Sequence, residues 1–221
     1  MWRTLDRDLI RSIAVMCLSV AVIGVSYGAV AVTSGFPLWV PVTTAVLVLA
    51  GSSEFLFVGI IAAGGSPVAA VLAGLLVNAR HITYGLAVSD VVGSGWRRLV
   101  GTHIMNDESV VLALAQGDPA RRRAAYWLCG AGNLICWPAG ALVGALAGSA
   151  LRNPDALGLD AMFPAAILAL ILPALKKPGS RYAAIAGAAI ALATAPFLPP
   201  GLPELLALGG LALTVRRRVA A

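Results

Sequence analysis

Residues 9–32 read LIRSIAVMCLSVAVIGVSYGAVAV, and this run decides the fold. Its one charge, Arg11, sits near its start. At ~1.5 Å per helical residue it is long enough to cross the ~30 Å hydrocarbon core of a bilayer. It lacks the short alternating segments of a membrane barrel, so a helix is expected. Arg3 and Arg7 precede it, as bases precede a signal peptide, but the apolar run outlasts a signal's short core and meets no small-residue cleavage site. It reads as a retained first transmembrane helix.

The same texture recurs outward from there. Residues 38–63 form a second run, opened by Pro37 and Pro41, and residues 67–88 a third, interrupted by Asn78, Arg80 and His81. A weaker run at 100–115 contains His103, Asn106, Asp107 and Glu108. After Asp118-Pro119 and the cluster Arg121, Arg122 and Arg123 come runs at 124–150, 161–175, 182–198 and 202–215. Of the 221 residues, 59% are hydrophobic and 12% charged, with a mean hydropathy of +0.89. Soluble domains average about 45–50% apolar and about 25% charged, so a soluble enzyme and a disordered chain are both excluded. The expected fold is all-α: one integral membrane domain over residues 1–221. It is a polytopic helix bundle of roughly seven to eight segments with interrupted or re-entrant helices. The formal net charge of +6 reads as loop charge facing the cytoplasm, with no nucleic-acid partner. The cysteines at 17, 129 and 136 all lie in apolar runs and read as small hydrophobes, neither a disulfide framework nor a metal cage.

Loop charges predict the topology. With the N-terminus inside, eight crossings put Arg121, Arg122, Arg123, Lys176, Lys177, Arg181 and the terminal Arg216, Arg217 and Arg218 inside as well. Arg97 and Arg98 are the exception, falling outside. Making residues 66–96 a re-entrant hairpin bent at Asn78–His81 repairs this, and both versions leave both termini cytoplasmic. Trp2, Trp39, Trp96, Trp127 and Tyr182 fall near the ends of runs, as an aromatic belt would. No internal repeat is visible. Gly140, Gly144 and Gly148 form a small-residue stripe that reads first as packing inside the bundle and second as a docking face for a small membrane protein.

The residues that carry chemistry are the polar ones at membrane depth. An Asp, Lys or Arg at a helix centre costs roughly 2.5–3.5 kcal/mol, so each needs an internal partner or water, and a substrate or ion pathway is the default reading. The structural alternative is that Arg80 and an acid such as Asp107 form a fixed ion pair. Three stretches look like local breaks: Ser52-Ser53-Glu54, Asn78-Ala79-Arg80-His81 with Tyr84 one turn on, and Asn106-Asp107-Glu108. Irregular backbone at this depth is tolerated where it lines a cavity, and transporters build midplane sites from such breaks. His103 and Asp107 are four apart, so on one helix they would touch and share a proton, which makes Asp107 the expected coupling acid. Glu54 or Asp107 would suit a substrate ammonium, and Arg80 or a helix N-terminus its carboxylate. Gly24-Val25-Ser26-Tyr27-Gly28 matches a nucleophile-elbow pattern, but that motif needs a strand-to-helix turn and here lies in a continuous apolar run. No phosphate loop, haem motif or metal-ligand spacing is present, so no cofactor and no metal are expected.

Taken together, residues 51–55 (GSSEF), 63–67 (AGGSP), 75–85 (LLVNARHITYG), 106–109 (NDES) and 159–165 (LDAMFPA) resemble the azaleucine-resistance AzlC family of branched-chain amino acid exporters. The resemblance covers nearly the whole chain in order, and Asn-x-Arg-His-x-x-Tyr-Gly is its most specific part. It implies export of neutral branched-chain amino acids across the bacterial inner membrane, with a small hydrophobic AzlD-like partner. Separately, export against a gradient needs an energy source and the chain has no nucleotide-binding loop, so coupling to the proton motive force is expected. It leads one to expect Gln where Glu54 stands and Thr where Asn106 stands. Two other classes stay open: an ion or proton channel, which needs a continuous water path, and a membrane-embedded serine hydrolase, which needs Ser26 within reach of His81 or His103.

Overall fold

The computed structural model describes residues 6–150, 168, 172, 175–198 and 202–211, and among these the regular structure is entirely helical. Two long helices form the frame. The first, α1 (Arg7–Thr33), is capped by Asp6, whose carboxylate accepts from the Leu9 N–H at 2.9 Å. The other Asp6 oxygen accepts from Arg121 Nη1 at 2.8 Å, in the first turn of the second frame helix, Pro119–Ala150. The Leu9 amide and then the Arg121 guanidinium hold this carboxyl below the usual carboxylate range.

The frame helices run parallel and touch along their length. A Cβ on Gly24 would lie 2.8 Å from the Trp137 carbonyl, and Gly28 is seated on Ala141 and Ala145. In return Gly140, Gly144 and Gly148 seat on the backbone of Ala21, Val25 and Ala29. The two small-residue stripes, Gly24/Gly28 and Gly140/Gly144/Gly148, therefore close on each other. The packing reading of the second stripe holds; the docking reading is overturned, because α1 already covers that face. Gly24-Val25-Ser26-Tyr27-Gly28 sits inside the unbroken α1. It lacks the turn that a nucleophile elbow requires.

Between the frame helices the chain makes two hairpins. Residues 38–63 do not cross: they form α2 (Trp39–Leu47) and α3 (Gly51–Ala62), broken at 48–50, where Leu49 takes φ +52°. The chain turns back there, since the Phe57 ring on α3 returns to within 6.2 Å of Phe36, which precedes α2. Next, α4 (Pro67–Asn78) is capped by Ser66 and kinks at Ala79 into α5 (Arg80–Ala87). Together these form one length of Pro67–Ala87, long and apolar enough to cross. The expected re-entrant hairpin over 66–96 is thus corrected. Asn78 and Arg80 lower the hydropathy without breaking the path, because Arg80 finds a partner in Asp107.

The second hairpin is α6 (Trp96–His103) and α7 (Asp107–Leu114). Its tip reaches mid-depth, where Ile104 packs on Gly130 and Glu108 meets Asn133; it then returns until Gln116 is bound by Arg121. The frame helix Pro119–Ala150 is α8. Arg122 reaches the Ala87 carbonyl and Asp90, and Arg97 shares a surface hollow with Arg123 and Trp127. Arg97 therefore lies at the same end of the bundle as Arg121 and Asp6, and the eight-crossing scheme that separates them does not hold. The described order is a span followed by a far-side hairpin (α1, α2–α3), then an opposed span followed by a near-side hairpin (α4–α5, α6–α7). This is an inverted repeat without a repeat in sequence.

Two further helices, α9 (Pro178–Thr194) and α10 (Leu202–Leu206), pack through Gly187 against Ala207. The expected span at 161–175 and the chain beyond 211 lie outside the described residues, 168, 172 and 175 aside, as does Trp2. Trp39 and Trp96 are exposed at the starts of the two hairpins, as belt residues would be.

Candidate functional site

The tips of the two hairpins meet. Around them lies a cavity of about 90 Å³ lined by Ala50, Gly51 and Ser52 at the start of α3, Asn106, Asp107 and Glu108 at the start of α7, and Asn133 and Trp137 on α8. Val20 and Ile23 of α1, with Leu49 and Phe55, supply an apolar wall. Two helix N-termini thus open onto one space. The first N–H groups of a helix have no intrahelical acceptor, and each end carries roughly +0.5 of an elementary charge. The α7 end is fixed by a reciprocal cap: Asn106 Oδ1 accepts from the Ser109 N–H at 2.9 Å, and Ser109 Oγ accepts from the Asn106 N–H at 3.0 Å.

The acids around this space are held differently. Glu108 Oε2 accepts from Asn133 Nδ2 at 3.3 Å, while Asn133, only 1% exposed, leaves its Oδ1 without a partner. The Ser52 hydroxyl is likewise buried and unpartnered. Asp107 has both oxygens engaged: Arg80 Nη2 donates to Oδ2 at 2.9 Å, and the Tyr84 hydroxyl donates to Oδ1. The side chains of Arg80 and Asp107 are 24% and 47% exposed, so the pair is partly open. The Arg80–Asp107 pair named as the structural alternative is therefore present.

Glu54, 3% exposed, lies on the other flank of α3. Its Oε1 accepts from the Ala50 N–H at 2.9 Å and from Trp137 Nε1 at 3.1 Å; its Oε2 has no partner. Trp137 stacks on Tyr27 at 5.4 Å between centroids, and Phe55 meets Tyr27 edge-on at 5.3 Å. Ser53 turns its hydroxyl back to the Ala50 carbonyl at 2.8 Å.

The two histidines are not in the cavity wall. His81 Nδ1 donates to the Asn78 carbonyl at 3.0 Å, and its ring packs edge-on against Tyr84. His103 Nε2 donates to the Val46 carbonyl at 2.9 Å, tying α6 to α2. The expected His103–Asp107 contact is corrected: the break at 104–106 falls between them, so they sit on different helices. Among the described residues no three His, Cys, Asp or Glu side chains gather as metal ligands.

The expected residues therefore divide. The structure brings Ser52, Asn106, Asp107 and Glu108 to one space, places Arg80, Tyr84 and His81 behind Asp107, and puts Ser53, Glu54 and Asn78 on a second cavity beside it. Asn133, Trp137 and Tyr27 were not singled out in the sequence. The available signal was an amide and an indole four residues apart, which share a helix face.

This geometry is that of a polytopic helical membrane protein with broken helices meeting at mid-depth. The model of the AzlC protein family matches residues 15–151, and the chain belongs to that family. It is 28% identical over 203 residues to the branched-chain amino acid transport protein AzlC of Bacillus subtilis, covering 89% of this chain and 79% of that one. It is 31% identical over 174 residues to an uncharacterized membrane protein of Haemophilus influenzae, covering 77% and 71%. A membrane protein of Helicobacter pylori is 26% identical over 178 residues, covering 79% and 78%. No solved structure matches the chain.

Proposed function

We propose that this chain exports branched-chain or similar neutral amino acids across a bacterial inner membrane, driven by the proton motive force, with a small AzlD-like membrane subunit. The observation that carries the reading is the meeting of two helix N-termini with Glu108 and Asn133 at one mid-depth cavity. A zwitterion needs donors for its carboxylate, which the starts of α3 and α7 with Ser52 supply. It needs acceptors for its ammonium, which Glu108 and Asn133 Oδ1 supply. Leu49, Phe55, Val20 and Ile23 suit an aliphatic side chain. Asp107, held by Arg80 and Tyr84, positions the α7 end. The substrate class comes from the name of the Bacillus subtilis relative.

At about 90 Å³ the cavity is well under the ~300–1,000 Å³ of ordinary ligand pockets. On this reading the cavity widens, with the two hairpins parting, when substrate is admitted. Arg7, Arg97, Arg121, Arg122 and Arg123 gathered at one end support an orientation with that end cytoplasmic. The test is efflux of labelled leucine from dipeptide-loaded cells, with and without a co-expressed small subunit. Asn133→Leu and Glu108→Gln are expected to abolish efflux while still accumulating in the membrane. Efflux unchanged in both would refute the cavity assignment.

A further inference from the structure

On the opposite flank of α3 from the substrate cavity lies a second hollow, about 280 Å³, between α2, α3 and α4. Its walls are mostly apolar, with Val48, Phe57, Val71 and Leu75 among them, and Glu54 and Asn78 also face it. Two buried acceptors without donors thus line one apolar space: Glu54 Oε2 and Asn78 Oδ1. A buried oxygen left in this condition is costly unless something positive arrives. Thr44 and Val48 at the end of α2 border the same space, so the carbonyl end of that half-helix, with its partial negative charge, lies beside it as well. The two flanks of α3 are therefore of opposite character, one presenting helix N-termini and the other a carbonyl end and a carboxylate.

We propose that Glu54 Oε2 is the site at which the coupling proton binds, reached through the α2–α3–α4 hollow. The proposal rests on the transporter reading above. One carboxylate joins the two cavities: Glu54 lines the hollow and has its Oε2 unpartnered, and its Oε1 grips the Ala50 N–H and Trp137 Nε1, both of which line the substrate cavity. Adding a proton at Oε2 removes the charge that both N–H donors share, and their hold on the carboxylate weakens, because charge-assisted hydrogen bonds are roughly twice as strong as neutral ones. The α3 start and the Trp137 ring are then released together. Removal of the proton restores them.

Among the described residues the titratable group facing Glu54 is the Tyr27 hydroxyl of α1. Trp137 on α8, Thr44 on α2 and Asn78 on α4 do not ionise. A metal cation fits less well than a proton. The Ser53 hydroxyl is spent on the Ala50 carbonyl and the Thr44 hydroxyl on α2 carbonyls and Tyr27. That leaves few oxygens for a coordination shell. Assigning the proton to Glu54 replaces the expected assignment to Asp107, whose two oxygens are occupied.

The experiment uses the full chain in liposomes, co-reconstituted with the small subunit, and has two readouts. In the first, infrared difference spectra across a pH titration at constant sodium should show a protonated-carboxyl stretch that Glu54→Gln lacks, together with a Trp137 fluorescence change lost in the same variant. In the second, labelled leucine flux driven by a pH gradient is divided by leucine exchange at equal concentrations in the same vesicles. The gradient response should vanish in Glu54→Gln. Gly74→Leu, which fills the hollow from a position where a Cβ meets only ordinary contacts with Ser53, should slow it without touching the carboxylate. Glu54→Gln spectra that titrate like the wild type would overturn the proposal, as would spectra that respond to sodium at fixed pH, or an undiminished gradient response in either variant. Wild-type protein that shows the carboxyl titration but moves no leucine would refute the transport reading and leave the proton site standing.

Discussion

Gly28→Ala and Gly74→Ala make the same chemical change in two helices and should move stability in opposite directions. At Gly28 the new Cβ lies 2.7 Å from the Ala145 nitrogen and 2.8 Å from the Ala141 carbonyl carbon, and closer still to the Ala141 oxygen. All three are backbone atoms of α8 and cannot swing aside. Ordinary contact begins at 3.4 Å, so the frame helices must part by roughly an ångström. A gap of ~0.5–1 Å forfeits about a quarter to a half of each dispersion contact it touches. Here it touches the whole Gly24–Gly148 seam. Overpacking of this kind costs about 1–3 kcal/mol, set against a helix-propensity gain of about 1 kcal/mol. The rigid partner places Gly28→Ala at the upper end, destabilised by about 2 kcal/mol net. At Gly74 the nearest atoms are 3.7 and 3.8 Å away, so only the propensity gain remains, about 0.5–1 kcal/mol. SDS titration of the purified protein in mixed micelles, followed by helical circular dichroism, reads both. A Gly28→Ala midpoint equal to or above that of Gly74→Ala would show that the α1–α8 seam is not as close as described.

Trp137→Phe keeps the ring stack on Tyr27 but removes a donor to a buried carboxylate, and should lower stability by about 1.5–3 kcal/mol in the same titration; no change would mean that the indole N–H is not engaged. Arg80→Ala and His81→Ala should reach the membrane in normal amounts and lose leucine efflux, compared side by side by membrane yield and flux. Failure of both to accumulate would make the Arg80–Asp107 pair a structural lock instead. The folded Asp6 carboxyl sits below its ordinary value, so its cap is complete above about pH 4 and is lost as pH falls through the folded value. Hydrogen exchange at the Leu9 amide should quicken in acid, whereas the Ser109 amide, capped by the non-ionising Asn106, should not follow it.

The breaks at 48–50 and 104–106 and the kink at Ala79 were legible because polar residues stand beside each in an apolar run: Ser52 and Glu54, Asn106 and Asp107, and Asn78 and Arg80. What those breaks do was less legible. Hydropathy registers how apolar residues 38–63 are, but it carries no information on whether the chain goes on or turns back. The turn at Leu49 is a backbone event in a residue with no special preference for it. The His103–Asp107 spacing failed because four residues share a face only on one unbroken helix, and Asn106, as a cap, starts a new one. Gly24, Gly28, Gly140, Gly144 and Gly148 were each visible, yet their pairing is a property of two helices more than a hundred residues apart. Trp137 is ordinary in an apolar run until α8 is placed against α3.

That same separation has a consequence for biosynthesis. Cys17 and Cys129, which meet across the frame, are 112 residues apart in the chain. At ~5–20 residues per second, α1 waits roughly 6–22 s in the bilayer before the helix that closes on it has been made. By the end of that interval both hairpins and the span between them, with Glu54, Arg80 and Asp107, have been made, while the wall that will carry Asn133 and Trp137 is not yet in place. A ribosome that stalls before Pro119 therefore leaves a fragment with exposed acids and an open glycine stripe, the kind of intermediate that membrane insertases shelter and membrane proteases remove. Codon choice and pausing across residues 90–118 should weigh on yield more than the same changes placed after Ala150.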